Sequence, residues 1–371
     1  MRIYVAVSGH GFGHFGQVVP VLNGLFEQWP TARFLVAGSI PDSLINARLK
    51  GPYQHSPRPR DVGLVQHDPM TPDLDATRGA MREFHAHWSE HLSRECDEIA
   101  AFGADLVLAD TPCLTLEAAA HLGVPSVAVC NLTWEAILPA YFDVEEPEVA
   151  GWLTRMRSAY ARATLVLLPE PFIPEIRQTF PNRREIPPLC TPGRRRQRAL
   201  KRALGIREED ARPLVLVSLG GIPAQHLPLE RLRTTSEMVW ITDHRQAPFA
   251  DPLFTIHDET LSGWSFSDLS ASVDAVVGKP GYGMSVDAVA HGVPFLFMCR
   301  GHFPDEAPIV AWLRRHARCR EITPEQFYDG RCWVEHLRAL MEQTPPRIPA
   351  LNGAERAVGA IDGMINTKGG Q

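Results

Sequence analysis

Four short segments set reactive side chains or a dense run of glycines where a strand gives way to a loop. The first, Ser8-Gly9-His10-Gly11-Phe12-Gly13-His14, places two imidazoles among three glycines directly after an apolar run. An imidazole changes charge near pH 6.5, so either histidine could take a hydroxyl proton, a step worth about 10²–10⁴-fold in rate. The alternative is a glycine turn whose histidines only hydrogen-bond the backbone. The segment is not a dinucleotide fingerprint: His14 stands where the third glycine belongs, and no acid closes the next apolar run at Ala37-Gly38-Ser39. A Gly-x4-Gly-Lys-Ser/Thr phosphate loop is absent from the chain.

The second segment, Ser218-Leu219-Gly220-Gly221-Ile222-Pro223, and the third, Lys279-Pro280-Gly281-Tyr282-Gly283-Met284-Ser285, pair glycines with strand ends. Glycines let backbone N–H groups approach an anion, and a helix opening after Gly281 would add its positive end, so the two turns together suit a diphosphate. Asp287, one turn into that helix, could accept from ribose hydroxyls. The fourth segment, His302-Phe303-Pro304-Asp305-Glu306, offers paired carboxylates that either hold sugar hydroxyls or open a solvated helix.

The elements that must position these residues show as an internal echo. Asp105-Leu-Val-Leu-Ala-Asp110 with Gly123-Val-Pro125-Ser-Val-Ala-Val-Cys130 matches Asp274-Ala-Val-Val-Gly-Lys279 with Gly292-Val-Pro294-Phe-Leu-Phe-Met-Cys299, each pair 169 residues apart. Between them run Glu117-Ala-Ala-Ala-His121 and Asp287-Ala-Val-Ala-His291, each stopped by glycine. Apolar strands alternating with helices form parallel sheets covered on both faces, so the fold class is α/β, with two doubly wound Rossmann-like domains. Further strands are expected at 1–7, 33–37 and 163–168, the last closing the first sheet, and at 213–218, 238–242, 253–256 and 275–277. Domains are expected at 1–185 and 200–350, with the proline-rich, basic stretch 181–207 as linker. The tail 351–371 carries helical spacing and is expected to pack back on the first domain, while 51–77 reads as a long loop over the ligand site.

Length and composition agree with two domains. The 371 residues are 44% hydrophobic, enough to bury two cores, and the net charge of −6 argues against a nucleic-acid partner. Seven dispersed cysteines without a Cys-x-x-Cys pair suit reduced thiols and a cytoplasmic setting. No apolar run is long enough to span a bilayer. His87 and His91 stand one helical turn apart, a spacing that can bind zinc, but no third ligand is fixed, so no metal is expected. The belt Arg183, Arg184, Arg194–Arg196, Arg198, Lys201 and Arg202 reads as solvated linker, with docking of an anionic acceptor or a weak membrane-surface contact as the alternative.

In the residues just quoted, and in Val65-Gln66-His67-Asp68, Ala109-Asp110-Thr111-Pro112 and Asn131-Leu132-Thr133-Trp134, the chain resembles the GT-B glycosyltransferases. It is most similar to the glycosyltransferase-like domain that precedes the kinase domain in plant L-arabinokinases. The kinase half, with its own phosphate loop, has no counterpart here, so kinase activity is not carried over. The resemblance implies two Rossmann-like domains facing a cleft and transfer of a sugar from a nucleotide diphosphate sugar, UDP-linked by expectation, to a small-molecule or lipid-linked acceptor. No cofactor or metal is implied. His14 would act as base with Asp110 steadying it. Gly220, Gly221, Lys279, Gly281, Tyr282, Gly283, Ser285, Asp287, Asp305 and Glu306 would hold the donor, and His10, Gly13, Asp68 and Trp134 would lie on the acceptor side. Met284 stands where members often carry threonine, and Asp287 where many carry the longer glutamate. A catalytically silent nucleotide-sugar-binding module, or an epimerase or hydrolase on the same fold, are the alternatives.

Overall fold

A computed structural model describes the chain apart from residues 12, 69, 181, 221–226, 244–253, 257–262 and 369–371. Two parallel sheets carry it. The first contains β1 (Arg2–Val7), β2 (Arg33–Ala37), β3 (Tyr53–Ser56), β4 (Leu106–Asp110), β5 (Ser126–Val129), β6 (Leu165–Pro169) and β7 (Arg183–Ile186). The second contains β8 (Leu214–Ser218), β9 (Val239–Asp243), β10 (Phe254–Ile256), β11 (Ala275–Gly278), β12 (Phe295–Phe297) and β13 (Cys319–Glu321). Their orders, β3-β2-β1-β4-β5-β6-β7 and β10-β9-β8-β11-β12-β13, follow one plan, with the order reversing between β1 and β4 and between β8 and β11. The echo therefore has a structural basis: β4, a helix and β5 repeat as β11, a helix and β12.

Central strands are apolar along most of their length because both faces are covered. In the first sheet, Tyr4, Leu35, Val107 and Ala128 pack on one face, and Ile3, Phe34, Leu106 and Val127 on the other. The second face also takes Phe15, Val18 and Leu22 from helix Gly13–Gln28 and Ala357, Ala360 and Ile361 from the C-terminal helix Gly353–Lys368. The tail thus returns to the first sheet after the second is complete.

Three strands depart from the sequence reading. The stretch 51–77 is not one loop: β3 lies within it, and a helix begins at Leu74. Residues 163–168 do not close the first sheet, because β7 pairs beyond β6 from inside the presumed linker. Strand β13 was not anticipated either. All three lie at sheet edges and are polar: Tyr-Gln-His-Ser, Arg-Arg-Glu-Ile and Cys-Arg-Glu. Charged edges resist pairing with other chains, and they erase the apolar run by which a strand is read.

Among the described residues no helix is long and apolar enough to cross a membrane. All seven cysteines are free thiols.

Candidate functional site

In open parallel sheets the crevice for ligands opens where strand order reverses, beyond the carboxyl ends. In the first sheet that place is formed by the turns after β1 and β4. Gly11 has φ of +74°, a conformation glycine alone adopts cheaply, and the turn leads straight into helix Gly13–Gln28. His14 is the second residue of that helix and is buried. Its Nδ1 lies 3.0 Å from Asp110 Oδ1 at the end of β4 and 3.2 Å from Thr111 Oγ1, whose hydroxyl also donates to Asp110 Oδ1 at 3.0 Å. A proton on Nδ1, donated to Asp110, leaves Nε2 as the nitrogen that can accept one. Thr111 carries φ of +81°, an unusual strain for a β-branched residue, and the Tyr160 hydroxyl donates to its carbonyl at 2.7 Å. Burial alone would push the His14 pKa down; Asp110, Asp61 and Asp305 more than reverse this, and the imidazole sits above the ordinary histidine value.

Asp61 escaped the sequence reading. Its Oδ2 accepts from Trp134 Nε1 at 2.7 Å and its Oδ1 from Ser8 Oγ at 3.2 Å. The neighbouring Arg60 fixes this segment: its fully buried guanidinium meets Glu95 Oε2 at 3.0 Å, Glu98 Oε2 at 2.5 Å and the Tyr4 hydroxyl oxygen at 3.2 Å. A Cβ at Gly63 would stand 2.6 Å from the Trp134 ring and 3.1 Å from His10 Nδ1, so only glycine lets the segment close over both. His10 lies edge-on to Trp134 with ring centroids 5.0 Å apart. Burial, His14, Lys279 and Arg300 drive its pKa down to about 3, which keeps it neutral. Asp68 accepts from the N–H groups of Met70 and Thr71 at 2.7 and 2.9 Å, holding its own turn, and Met70 packs against the second sheet's core. Gly13 is exposed, with nothing within 4 Å of an added Cβ.

The second sheet offers backbone instead. Gly278 ends β11 against β8, where a Cβ would stand 2.0 Å from the Ser218 carbonyl oxygen. This close approach brings the two following turns together: Gly220, at φ +90°, would point a Cβ at Lys279 Cε, 3.6 Å away. Gly221 lies outside the described residues. Gly281 caps helix Tyr282–His291, and added Cβ atoms at Gly281 and Gly283 would meet nothing within 4 Å among the described residues. That open helix start, with its unpaired N–H groups, can receive an anion. Burial and the Arg300 charge lower the Lys279 pKa to about 7.

Other donor-side expectations fare differently. The Tyr282 hydroxyl oxygen accepts from the Leu189 N–H at 2.9 Å, tying the helix to the connecting segment. Ser285 is fully buried, so its hydroxyl does not line an open surface. Asp287 is buried too and accepts from Ser267 Oγ at 2.8 Å; burial raises its pKa to about 7. Asp305 and Glu306 are not a solvated helix start. Both are buried against Arg300, at 3.3 Å and 2.6 Å, a partner the sequence reading missed. Arg300 also lies 3.5 Å from the Phe303 ring centroid, and Phe303 itself enters the first sheet's core cluster.

Two further sequence features remain. His87 falls at the junction of two helices, and the described residues contain no group of three ligands fit for a metal. In the basic belt, Arg196 pairs with Asp268 at 2.7 Å, Arg202 with Glu208 at 2.6 Å, and Lys201 donates to the Asp210 carbonyl at 2.6 Å.

Against known proteins, no family model matches the chain. L-arabinokinase of Arabidopsis thaliana is 24% identical over 355 residues, which cover 95% of this chain and 33% of that protein. The chain therefore spans about a third of that relative's length. Among solved structures, the calicheamicin glycosyltransferase CalG4 superposes with a TM-score of 0.62 at 16% identity, covering 99% of this chain and 98% of its own. A UDP-glucosyltransferase from Polygonum tinctorium capable of glucosylating indoxyl gives 0.59 at 15%, covering 98% of each chain. Arabidopsis thaliana UGT89C1 complexed with UDP gives 0.57 at 15%, covering 99% of this chain and 98% of its own. The fold is GT-B.

Proposed function

We propose that this GT-B chain transfers a sugar from a nucleotide diphosphate sugar, UDP-linked, to an acceptor hydroxyl held against the first half. The observation that carries the reading is the placement of a hydrogen-bonded imidazole and an anion-ready glycine turn at the two switch points. His14 Nε2 takes the acceptor's proton while the acceptor oxygen bonds to the anomeric carbon. The glycosyl–phosphate C–O bond breaks, and its electron pair leaves on the diphosphate. Asp110 holds Nδ1 and stabilises the imidazolium that forms. The N–H groups at the start of helix Tyr282–His291 and the Lys279 ammonium meet the charge that develops on the leaving group, without calling on a metal. A charge arriving beside Lys279 favours its protonated form, so donor binding would restore the ammonium that burial weakens. Asp287 would receive a ribose hydroxyl. The likeness to a protein solved with UDP and to a UDP-glucosyltransferase supports the choice of donor. A reduced cytoplasmic setting fits seven free thiols.

The enclosure of Ser285 and the pairing of Asp305 and Glu306 with Arg300 favour one rival, a module that binds nucleotide sugar without turning it over. Incubating the pure chain with UDP-, GDP-, ADP- and dTDP-sugars separates the two. Slow release of nucleotide diphosphate from one of them is the expected result; binding without release would support the module, and a new sugar isomer an epimerase.

A further inference from the structure

We propose that Asp61 is a positioning residue for His14, a second carboxylate that fixes the wall beside the imidazole through Ser8 and Trp134 and supports the imidazolium through space. The inference rests on the reading of His14 as base. Its geometric ground is a closed circuit across four separate stretches of chain. Ser8 directly follows β1 and donates to Asp61; Trp134 donates to the other carboxylate oxygen; and the Trp134 ring centroid lies 6.2 Å from that of His14. Asp110 and Thr111 hold Nδ1. The imidazole thus feels one carboxylate that bonds it and another that does not.

Asp61 is placed at a cost, which argues against an incidental contact. Asp61 is only partly exposed. Burial raises its pKa, while the bonds from Trp134 and Ser8 and the His14 charge pull it back. Among the described residues, the other ionisable groups felt at Asp61 are Asp110, Cys113 and Tyr160, none of them cationic. Facing His14, besides the two carboxylates, are Asp305 and the neutral His10. His14 is the one group in this circuit whose positive charge Asp61 can serve. The buried Arg60 and the missing side chain at Gly63 hold the segment where it does so.

A negative charge beside an imidazole favours its protonated form, so removing the charge must lower the His14 pKa. Asp61→Asn keeps the shape: its carbonyl oxygen can accept from Trp134, and its amide can donate to Ser8. In the full chain, labelled with nitrogen-15 and assigned with His14→Gln, the His14 ring titration should move down by on the order of 0.5–1 pH unit. Trp134→Phe removes the 2.7 Å donor and should move it in the same direction by less, which keeps the test alive if the asparagine variant does not fold. An unchanged His14 titration in either folded variant overturns the inference. The titration needs no acceptor, so failure of the transferase reading would show in turnover, and failure of this inference in the titration.

Discussion

At echo-equivalent positions, 169 residues apart, the first half carries Asp110 and the second Lys279. Each follows or ends the strand beside a switch point, yet the two surroundings are built differently. Around Asp110 the instruments are side chains: His14, Thr111, Asp61 and Trp134 are joined by hydrogen bonds between 2.7 and 3.2 Å or packed ring on ring. Around Lys279 glycines shape the turns, with Gly220 at positive φ and, among the described residues, nothing within 4 Å of a Cβ added at Gly281, while Arg300 is close enough to lower the lysine pKa. In the proposed function, one frame used twice is tuned by buried side chains for moving a proton and by glycine for admitting an anion. The difference lies in what fills the ends of the strands, since the strand orders agree.

The sharpest way to break this division is to remove the proton acceptor and ask whether the donor notices. In His14→Ala, release of nucleotide diphosphate from the preferred donor should fall about 10²–10⁴-fold with donor affinity unchanged. The parent's pH–rate profile should show an acidic limb above the ordinary histidine value of about 6.5, because the neighbouring carboxylates raise the His14 pKa, and the variant should lose it. If affinity falls together with turnover, His14 braces the turn and the division fails.

A smaller effect sharpens the second half of the comparison. Asp287 is held near pKa 7 by burial, so the folded chain prefers it protonated. A carboxyl whose pKa rises on folding adds stability below its unfolded value of about 4 and loses that contribution as pH climbs toward 7. Asp287→Asn, which can still accept from Ser267, should therefore match the parent below about pH 4 and exceed it at pH 8 by up to about 4 kcal/mol in urea unfolding. The same change should weaken nucleotide binding if the side chain meets ribose. A stability gain independent of pH would refute the burial account.

Much of this frame was readable from sequence because its central strands are buried on both faces and so are apolar up to a polar last residue, as in Leu106–Asp110 and Leu214–Ser218. His14 and Asp110 were readable as candidates because each follows or ends such a strand. Asp61 and Arg300 were not, for two reasons. Asp61 finds Ser8 and Trp134 at separations of 53 and 73 residues, which no local pattern encodes. Arg300 meets Asp305 and Glu306 nearby, but a basic residue beside two acids looks the same whether exposed or buried; only its 6% exposure distinguishes them. The edge strands β3 and β7 were hidden by the polarity that protects them.

Calorimetric titration of the parent, His14→Ala and Gly281→Val with UDP, GDP, ADP and dTDP tests the division most directly. A valine at Gly281 has room to fold, since among the described residues nothing stands within 4 Å of its Cβ, but would occupy the space that the proposed function gives a phosphate. The parent should prefer one nucleotide, with a dissociation constant of roughly micromolar to millimolar size. His14→Ala should bind it equally well, and Gly281→Val about 30-fold or more weakly, by analogy with lost charge-assisted hydrogen bonds. No heat from any nucleotide with the folded parent, or equal losses in both variants, would contradict the account.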